Sequence, residues 1–234
     1  MTTTSSSALS DISYEQVARA IDHSLLRPDL TIDDILSGCA VAARYEVASV
    51  CARPADVPRC VEALRGSSVA IGTVVGFPHG AHTTRVKVFE AEAALADGAT
   101  ELDMVLNIGL LRSGRLEEVE DDVRAVVDAS GDAIVKVILE NAYLDHDQKV
   151  AGCRVAEAAG ADFVKTSTGY APGGATMDDL RLMRATVSPH IQVKAAGGVR
   201  TLDALLEVLE AGVSRVGLTR TAEILDDYRA RAAG

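Results

Sequence analysis

The sequence predicts an α/β protein folded as a single (β/α)₈ barrel, the architecture also called the TIM barrel. Three observations support this prediction: one helix–glycine–strand pattern recurs along the chain, eight short apolar runs alternate with helical patterns, and 234 residues suit one barrel domain. Aromatic residues make up only 3% of the chain, so the core must rest on Val, Leu, Ile and Ala. That usage is typical of buried parallel strands.

The recurring pattern is an Ala-rich amphipathic segment that ends in glycine and is followed at once by a β-prone run. Gly98, Gly160 and Gly212 end three copies, and Gly131 ends a fourth. A helix commonly ends at a residue with a left-handed backbone, where glycine is favoured. Helices and strands that alternate in this way predict parallel strands joined by crossover helices.

Eight runs are candidates for these strands, and most are apolar on both faces. They cover residues 21–26, 48–52, 69–75, 101–106, 133–140, 162–166, 191–196 and 214–218. Eight strands favour a closed barrel, whereas loss of the first strand would leave an open doubly wound sheet as the alternative. Residues 12–228 contain no linker-like stretch, so we expect one barrel domain over residues 12–234 after a disordered tail over residues 1–11.

The formal net charge of −11 argues against binding to nucleic acid or to an anionic membrane, because little basic surface remains to neutralise phosphates. A small phosphorylated ligand is still allowed, since it needs only local donors. The N-terminus does not resemble a signal peptide, and no apolar stretch is long enough to cross a bilayer. Cysteines without disulfide spacing predict reduced, buried thiols and a cytoplasmic location: Cys39, Cys51, Cys60 and Cys153.

Two lysines lie where buried strands end, an unusual place for an ammonium group. Lys165 ends the sixth strand and Lys194 has the equivalent place on the seventh, so we expect them to be close. Two neighbouring cations lower each other's pKa, which leaves one amine neutral and nucleophilic near pH 7. Asp103 on the fourth strand can hold the second lysine charged and pass protons through a water. Frayed or ion-paired lysines are the alternative, but the three residues together indicate Schiff-base chemistry.

Glycine-rich segments follow the last three strands, and their backbone amides are suited to bind an anion. In (β/α)₈ barrels the phosphate site commonly follows strands seven and eight. Gly197 and Gly198 form either part of such a site or only a tight turn. Arg200 and Arg220, beside two of these loops, favour a phosphate ligand.

No metal site and no cofactor are predicted. His79 and His82 lack Cys or acidic partners at useful spacing, and His23 is interpreted as a hydrogen-bonded structural residue. The sequence has neither a P-loop nor a dinucleotide-binding fingerprint, which argues against nucleotide chemistry.

Six segments resemble the deoxyribose-phosphate aldolase family: IDHSLLRPDLT, VGFPHGAHTTRVKVFEA, GATELDMVLNIG, VKVILE, AGADFVKTSTGYAPGGAT and VKAAGGVRT. The similarity runs from about residue 21 to about residue 224. It implies a class I aldolase on a (β/α)₈ barrel, without a cofactor. The family reversibly cleaves 2-deoxy-D-ribose 5-phosphate to D-glyceraldehyde 3-phosphate and acetaldehyde in deoxyribose phosphate catabolism. It commonly forms homodimers or homotetramers.

The resemblance also implies a role for each matching residue. Lys165, the lysine of KTSTG, would form the imine. Lys194 would keep the pKa of Lys165 low, and Asp103 would work with Lys194 to move protons through a bound water. Four glycines match loop positions around the substrate phosphate: Gly169, Gly197, Gly198 and Gly217.

The chain departs from the family pattern in three places. After the eighth strand the family usually has G-T/A-S, whereas this chain has GLTR at residues 217–220. Thr219 keeps a hydroxyl for the phosphate, and Arg220 either adds a charged contact or points to solvent. Residues 140–142 are ENA where many relatives have E-T-C, and the C-terminus lacks the tyrosine that some members use near the site.

Three alternative functions follow from these departures and from the lysines. The first is a barrel aldolase with the same chemistry for another phosphorylated sugar. The second is a non-catalytic barrel that binds phosphate as a regulator or scaffold, against which intact Lys165, Lys194 and Asp103 argue. The third is pyridoxal phosphate binding through Lys165, for which no partner of the pyridine nitrogen is identified.

Overall fold

The computed structural model describes residues 12–233, and within them eight parallel strands close into one barrel. The strands are β1 Ile21–Leu25, β2 Ser49–Ala52, β3 Ala70–Val75, β4 Glu101–Val105, β5 Ile134–Ile138, β6 Phe163–Lys165, β7 Gln192–Ala196 and β8 Arg215–Leu218. Neighbours pair in chain order and β1 pairs with β8, which confirms the predicted barrel and excludes the open sheet. The tail predicted for residues 1–11 lies outside the described residues.

Helices connect successive strands and cover the outside of the barrel. Within residues 12–233 they are α1 Tyr14–Arg19, α2 Ile32–Tyr45, α3 Val57–Ala63, α4 Thr84–Ala96, α5 Ile108–Arg112, α6 Leu116–Ser130, α7 His146–Ala158, α8 Met177–Thr186, α9 Leu202–Glu210 and α10 Thr221–Ala232. In this described part of the chain, no helix combines the length and low polarity that a membrane span requires.

Local sequence signals mark the ends of several of these helices. At the start of α2, the Thr31 hydroxyl accepts a hydrogen bond from the backbone N–H of Asp34 (3.2 Å), and the Asp34 carboxylate accepts one from the backbone N–H of Thr31 (2.8 Å). At the other ends, Gly98, Gly160 and Gly212 have left-handed φ values of 102°, 89° and 85°, as predicted. Each helix therefore stops where the next strand must begin.

The two faces of the strands differ. Apolar side chains on the outer face pack against the helices, and charged side chains on the inner face point into the barrel. On β4, Leu102 is fully buried in the apolar core, whereas Glu101 and Asp103 alternate with it and point inward. Asp22 on β1 lies 3.8 Å from Lys136 on β5, four strands away around the barrel. These side chains can only meet inside it, so the interior is charged rather than filled by branched apolar residues.

A separate buried ion pair joins the helix layer to a strand. Lys87 Nζ on α4 lies 2.5 Å from Asp122 Oδ2 on α6, and it donates to the carbonyl of Val105 at the end of β4 (2.9 Å). Asp122 also accepts a hydrogen bond from the Thr84 hydroxyl (2.8 Å). Removing either partner would leave a buried charge without its counterion.

His23 makes the stability of the fold depend on pH. It lies on β1 and is buried against α10, where its Nδ1 lies 2.8 Å from the Thr221 hydroxyl. Burial lowers its pKa from 6.5 to about 4, and Glu223 opposes the shift only in part. Between these two values the unfolded chain binds a proton that the folded chain does not. We expect the free energy of unfolding to fall as pH drops through this window, by up to about 3 kcal/mol.

Urea unfolding at several pH values between 7 and 4 checks this expectation. His23→Asn removes the titrating ring, so its free energy of unfolding should fall less steeply across the window than that of the wild type. Parallel curves for the two proteins would show that His23 does not cause the pH dependence.

Candidate active site

Lys165 and Lys194 lie side by side on neighbouring strands. Lys165 ends β6 and pairs in register with Lys194 on β7. Both side chains are buried, with 3% and 1% of the residue exposed, and both reach Asp103 on β4. The structure thus brings together the two lysines and the carboxylate that are predicted from the sequence.

One carboxylate oxygen contacts both amines. Lys165 Nζ and Lys194 Nζ each lie 2.6 Å from Oδ2 of Asp103. The other carboxylate oxygen accepts a hydrogen bond from Lys136 Nζ at 3.0 Å. Because Asp103 is fully buried, these lysines rather than water stabilise its charge.

Further charges extend this contact across the barrel. Lys136 Nζ also donates to Glu101 Oε2 (2.6 Å), and Lys194 Nζ lies 2.5 Å from Asp22 Oδ2. Arg215 contacts both of these carboxylates, with its Nη2 2.6 Å from Glu101 Oε1. We call the seven residues the buried charge cluster: Asp22, Glu101, Asp103, Lys136, Lys165, Lys194 and Arg215.

Burial and neighbouring charges move the pKa values of the two site lysines apart. Burial lowers the pKa of Lys165, and with the help of the Lys194 ammonium it outweighs the opposing effect of Asp103. Burial alone would also lower the pKa of Lys194, but Asp103 and Asp22 raise it well above its usual range. Of these two amines, Lys165 therefore loses its proton more readily, whereas the charge on Lys194 is stabilised.

A cavity of about 310 Å³ opens beside these amines at the carboxyl ends of the strands. Lys165 and Lys194 line it, together with the predicted loop residues Gly169, Gly197, Gly198, Gly217 and Thr219. Among the described residues, Arg200 also lines the cavity and Arg220 does not. Arg220 takes the N-cap position of α10, where its side chain is exposed, so the structure does not bring it to the predicted site.

The loops after β6 and β7 approach so closely that glycine is required. A side-chain carbon on Gly174 would lie 2.7 Å from the backbone of Gly197. Beside this contact, the backbone N–H of Ala175 donates to the carbonyls of Ala196 (3.1 Å) and Gly197 (3.0 Å). The GGAT segment therefore joins the two loops that border the cavity.

Glu140 supports the loop that follows Lys165. Its buried carboxylate accepts hydrogen bonds from the backbone N–H of Thr168 (3.2 Å) and from the Thr168 hydroxyl. The same hydroxyl accepts a hydrogen bond from the backbone N–H of Tyr170 (3.0 Å). Glu140 has a left-handed φ of 56°, which is uncommon for a residue with a side chain. The family departure immediately after Glu140 leaves these contacts in place.

Asp22, Glu101 and Arg215 are not predicted as site residues from the sequence, which leaves the role of Lys136 open. Each of these three residues is the first or second residue of a short, mostly apolar strand, where a charged side chain is expected to mark the end of the strand. One signal was available on β4, because Glu101 and Asp103 are separated by a single apolar residue and therefore share a face.

The histidines and cysteines considered in the sequence are not part of the buried charge cluster. Within residues 12–233 no group of His, Cys, Asp and Glu side chains is arranged to hold a metal ion, so His79 and His82 belong to none. Cys51 lines the cavity, but burial raises the pKa of its thiol to about 11, so it stays protonated near pH 7. The other three cysteines are also buried free thiols.

Comparison with known proteins decides the family. The sequence profile of the DeoC/LacD family aldolase matches residues 16–219. The chain belongs to this aldolase family. A deoxyribose-phosphate aldolase from Streptococcus uberis is 51% identical over 211 residues, which cover 90% of this chain and 96% of the relative. Another from Rhodopirellula baltica is 50% identical over 224 residues, with 94% and 92% of the two chains covered.

A comparison with solved structures supports the same family assignment. The chain aligns with a structure of deoxyribose phosphate aldolase from Aeropyrum pernix, described as a unique tetramer, with a TM-score of 0.88. The two are 30% identical, and the alignment covers 95% of each chain. The resemblance seen in the sequence is thus confirmed, and this member of the family is an aldolase, a carbon–carbon lyase.

Proposed function

We propose that this aldolase reversibly cleaves 2-deoxy-D-ribose 5-phosphate to D-glyceraldehyde 3-phosphate and acetaldehyde through a Schiff base at Lys165. The observation that carries the proposal is the contact of Lys165 and Lys194 with one oxygen of Asp103 beside the cavity. Relatives at 51% and 50% identity bear the name deoxyribose-phosphate aldolase. The chemistry requires no cofactor, because the imine nitrogen itself accepts the electrons of the breaking bond.

The reaction begins when the neutral amine of Lys165 attacks the aldehyde carbon C1 of the open-chain sugar. The carbinolamine loses water, so a protonated imine joins Lys165 to C1. The 3-hydroxyl group then loses its proton, the C2–C3 bond breaks, and the electron pair moves towards the imine nitrogen to form an enamine. Glyceraldehyde 3-phosphate leaves. Protonation at C2 and hydrolysis release acetaldehyde and restore the amine.

Asp103 and Lys194 supply the proton transfers in this scheme. Lys194 keeps its proton because Asp103 and Asp22 stabilise the ammonium, so it can donate a hydrogen bond to the oxygen that forms on C1. Asp103 contacts both amines and, together with Lys194, passes the proton of the 3-hydroxyl group through a bound water.

The loops after the last three strands bind the substrate phosphate in this proposal. Their support is that the predicted residues line the same cavity as Lys165: Gly169, Gly197, Gly198, Gly217 and Thr219. Backbone amides and the Thr219 hydroxyl are suitable donors to phosphate oxygens. Arg200 adds a positive charge beside the cavity, whereas Arg220, the other predicted arginine, does not line it.

Arg200 and Arg220 form a matched pair of variants for the phosphate site. We expect Arg200→Ser to raise KM for 2-deoxyribose 5-phosphate about fivefold to tenfold and to change kcat little, because a charged hydrogen bond made equally in substrate and transition state is lost. Arg220→Ser should leave KM unchanged. Steady-state kinetics with both variants checks this, and the reverse pattern would return the phosphate contact to Arg220.

Trapping of the imine tests the proposed chemistry directly. The purified protein is mixed with acetaldehyde, reduced with borohydride, and digested for peptide mass analysis. An ethyl adduct on Lys165 is the expected result. Failure to find an adduct on any lysine of a folded sample would overturn the Schiff-base proposal and favour a non-catalytic, phosphate-binding barrel.

A second candidate substrate is favoured by one specific observation, the GLTR sequence after β8 in place of the usual family residues. Here the same chemistry would act on another phosphorylated sugar. Turnover of several aldose and ketose phosphates should be compared with turnover of 2-deoxyribose 5-phosphate. A higher kcat/KM for another sugar phosphate would establish this alternative.

We also propose that the protein is a homodimer or homotetramer. Phe89 and Val86 on α4 are 68% and 37% exposed, which is high for apolar side chains, and one relative is described as tetrameric. Sedimentation equilibrium gives the mass in solution, and a monomer at all concentrations would contradict the proposal. The cytoplasmic location inferred from the sequence stays a prediction.

A further inference from the structure

The buried charge cluster contains more cations than carboxylates. When all its members are ionised, three negative charges stand against four positive charges. Apart from Arg215, whose side chain is 13% exposed, every member is at most 4% exposed at its side chain. A net charge in such a volume is costly, because water cannot compensate it. The cluster becomes neutral when one proton leaves.

Which lysine loses this proton depends on how many carboxylates each lysine contacts. Lys194 contacts two carboxylates, Asp103 and Asp22, and Lys136 contacts Asp103 and Glu101 within 3.0 Å. Lys165 contacts only Asp103 in the described chain, and it shares that carboxylate with the other two lysines. Lys165 is thus the least compensated of the three ammonium groups.

We propose that Lys136 is a positioning residue of the aldolase reaction: it supplies the fourth cation, so that the cluster reaches neutrality only when Lys165 gives up its proton and becomes nucleophilic. This inference rests on the proposed function. Lys136 itself is buried and is not among the described residues that line the cavity, so it acts through Asp103 and not on the substrate.

The charge count includes the titratable and charged groups that surround Lys136 on the neighbouring strands. They are Asp22 on β1, Cys51 on β2, Glu101 and Asp103 on β4, Lys165 on β6, Lys194 on β7 and Arg215 on β8. The Cys51 thiol is neutral near pH 7, so it does not change the balance. The sum of charges is therefore decided by the carboxylates, the lysines and the arginine.

Charge-count variants test the proposal. Lys136→Met leaves three cations and three carboxylates, so Lys165 should keep its proton to a higher pH. Glu101→Gln leaves four cations and two carboxylates, so Lys165 should lose its proton at a lower pH. The double variant has one cation in excess, as the wild type does. The first two changes should move the midpoint by about one pH unit in opposite directions, and the double variant should restore it.

The readout is the rate at which acetaldehyde and cyanoborohydride modify Lys165, measured against pH and mapped by peptide mass. A merely structural role would lower the amplitude of the adduct and leave its pH midpoint in place. A wild-type midpoint in Lys136→Met, or a double variant that stays shifted, would overturn the proposal. If Lys136→Met does not fold, Glu101→Gln tests the charge count by itself. A pH midpoint below that of the wild type supports the proposal, and an unchanged or higher midpoint contradicts it. Absence of any adduct on the wild type would instead overturn the proposed function.

Discussion

Replacing Lys165 by leucine is expected to abolish turnover of 2-deoxyribose 5-phosphate, with kcat falling by more than about 10⁴-fold. The covalent route is lost when its amine is removed, and no other mechanism in the site provides an electron sink. The fold should survive, because the variant leaves three cations and three carboxylates in the buried charge cluster. A leucine side chain also fills much of the space that the lysine stem occupied.

A coupled assay for glyceraldehyde 3-phosphate gives the activity of this variant, and circular dichroism gives its thermal unfolding. Lys149→Leu is the matched control: Lys149 lies on α7, 2.7 Å from Asp179 and away from the cavity, so its loss should leave kcat unchanged. Activity within tenfold of the wild type in Lys165→Leu would assign the imine to another lysine.

Asp103→Asn should cost the second largest amount of activity, with kcat falling by about 10²-fold to 10⁴-fold. The amide keeps the shape of the carboxylate but cannot accept a proton from the relay. It also removes the negative charge that contacts the amino groups of three lysines, so we expect a loss of about 3–5 kcal/mol in the free energy of unfolding.

Trapping distinguishes the two effects of this variant. Loss of the carboxylate makes the Lys165 ammonium less stable, so the amine should still be trapped by acetaldehyde, and at a lower pH than in the wild type. Asp122→Asn is the control, since it weakens the buried pair with Lys87 outside the barrel. It should reduce stability and leave kcat intact. Wild-type turnover in a folded Asp103→Asn protein would remove Asp103 from the proton relay.

Much of the fold could be predicted because its determinants are local. Parallel strands buried on both faces need short apolar runs, and all eight predicted runs contain an observed strand. Gly98, Gly160 and Gly212 could be assigned to helix ends because their conformation is costly for other residues. Closure of the barrel followed from the number of strands, and the pairing of β1 with β8 confirms it.

The site was predictable in part, because lysines are unusual in buried apolar strands and Asp103 offers them a nearby counterion. Lys165 does end β6, whereas β4 and β7 each continue two residues beyond Asp103 and Lys194. Asp22 and Arg215 have a reason to be buried only once the barrel is closed. Their contact joins residues 193 positions apart, and no local pattern specifies it. The position of Arg220 beside the loop could be predicted from the sequence, but the direction of its side chain depends on where α10 begins.

The contact between Asp22 and Arg215 also has a consequence for folding during synthesis. Asp22 leaves the ribosome 193 residues before Arg215, the guanidinium that it meets in the finished barrel. Until β8 has emerged, the nascent chain has no closed interior in which these charges can be paired, and its first and seventh strands have unpaired edges. We therefore expect activity to appear only after β8 has emerged, and a protein cut short before β8 to be inactive and prone to associate through its open edges.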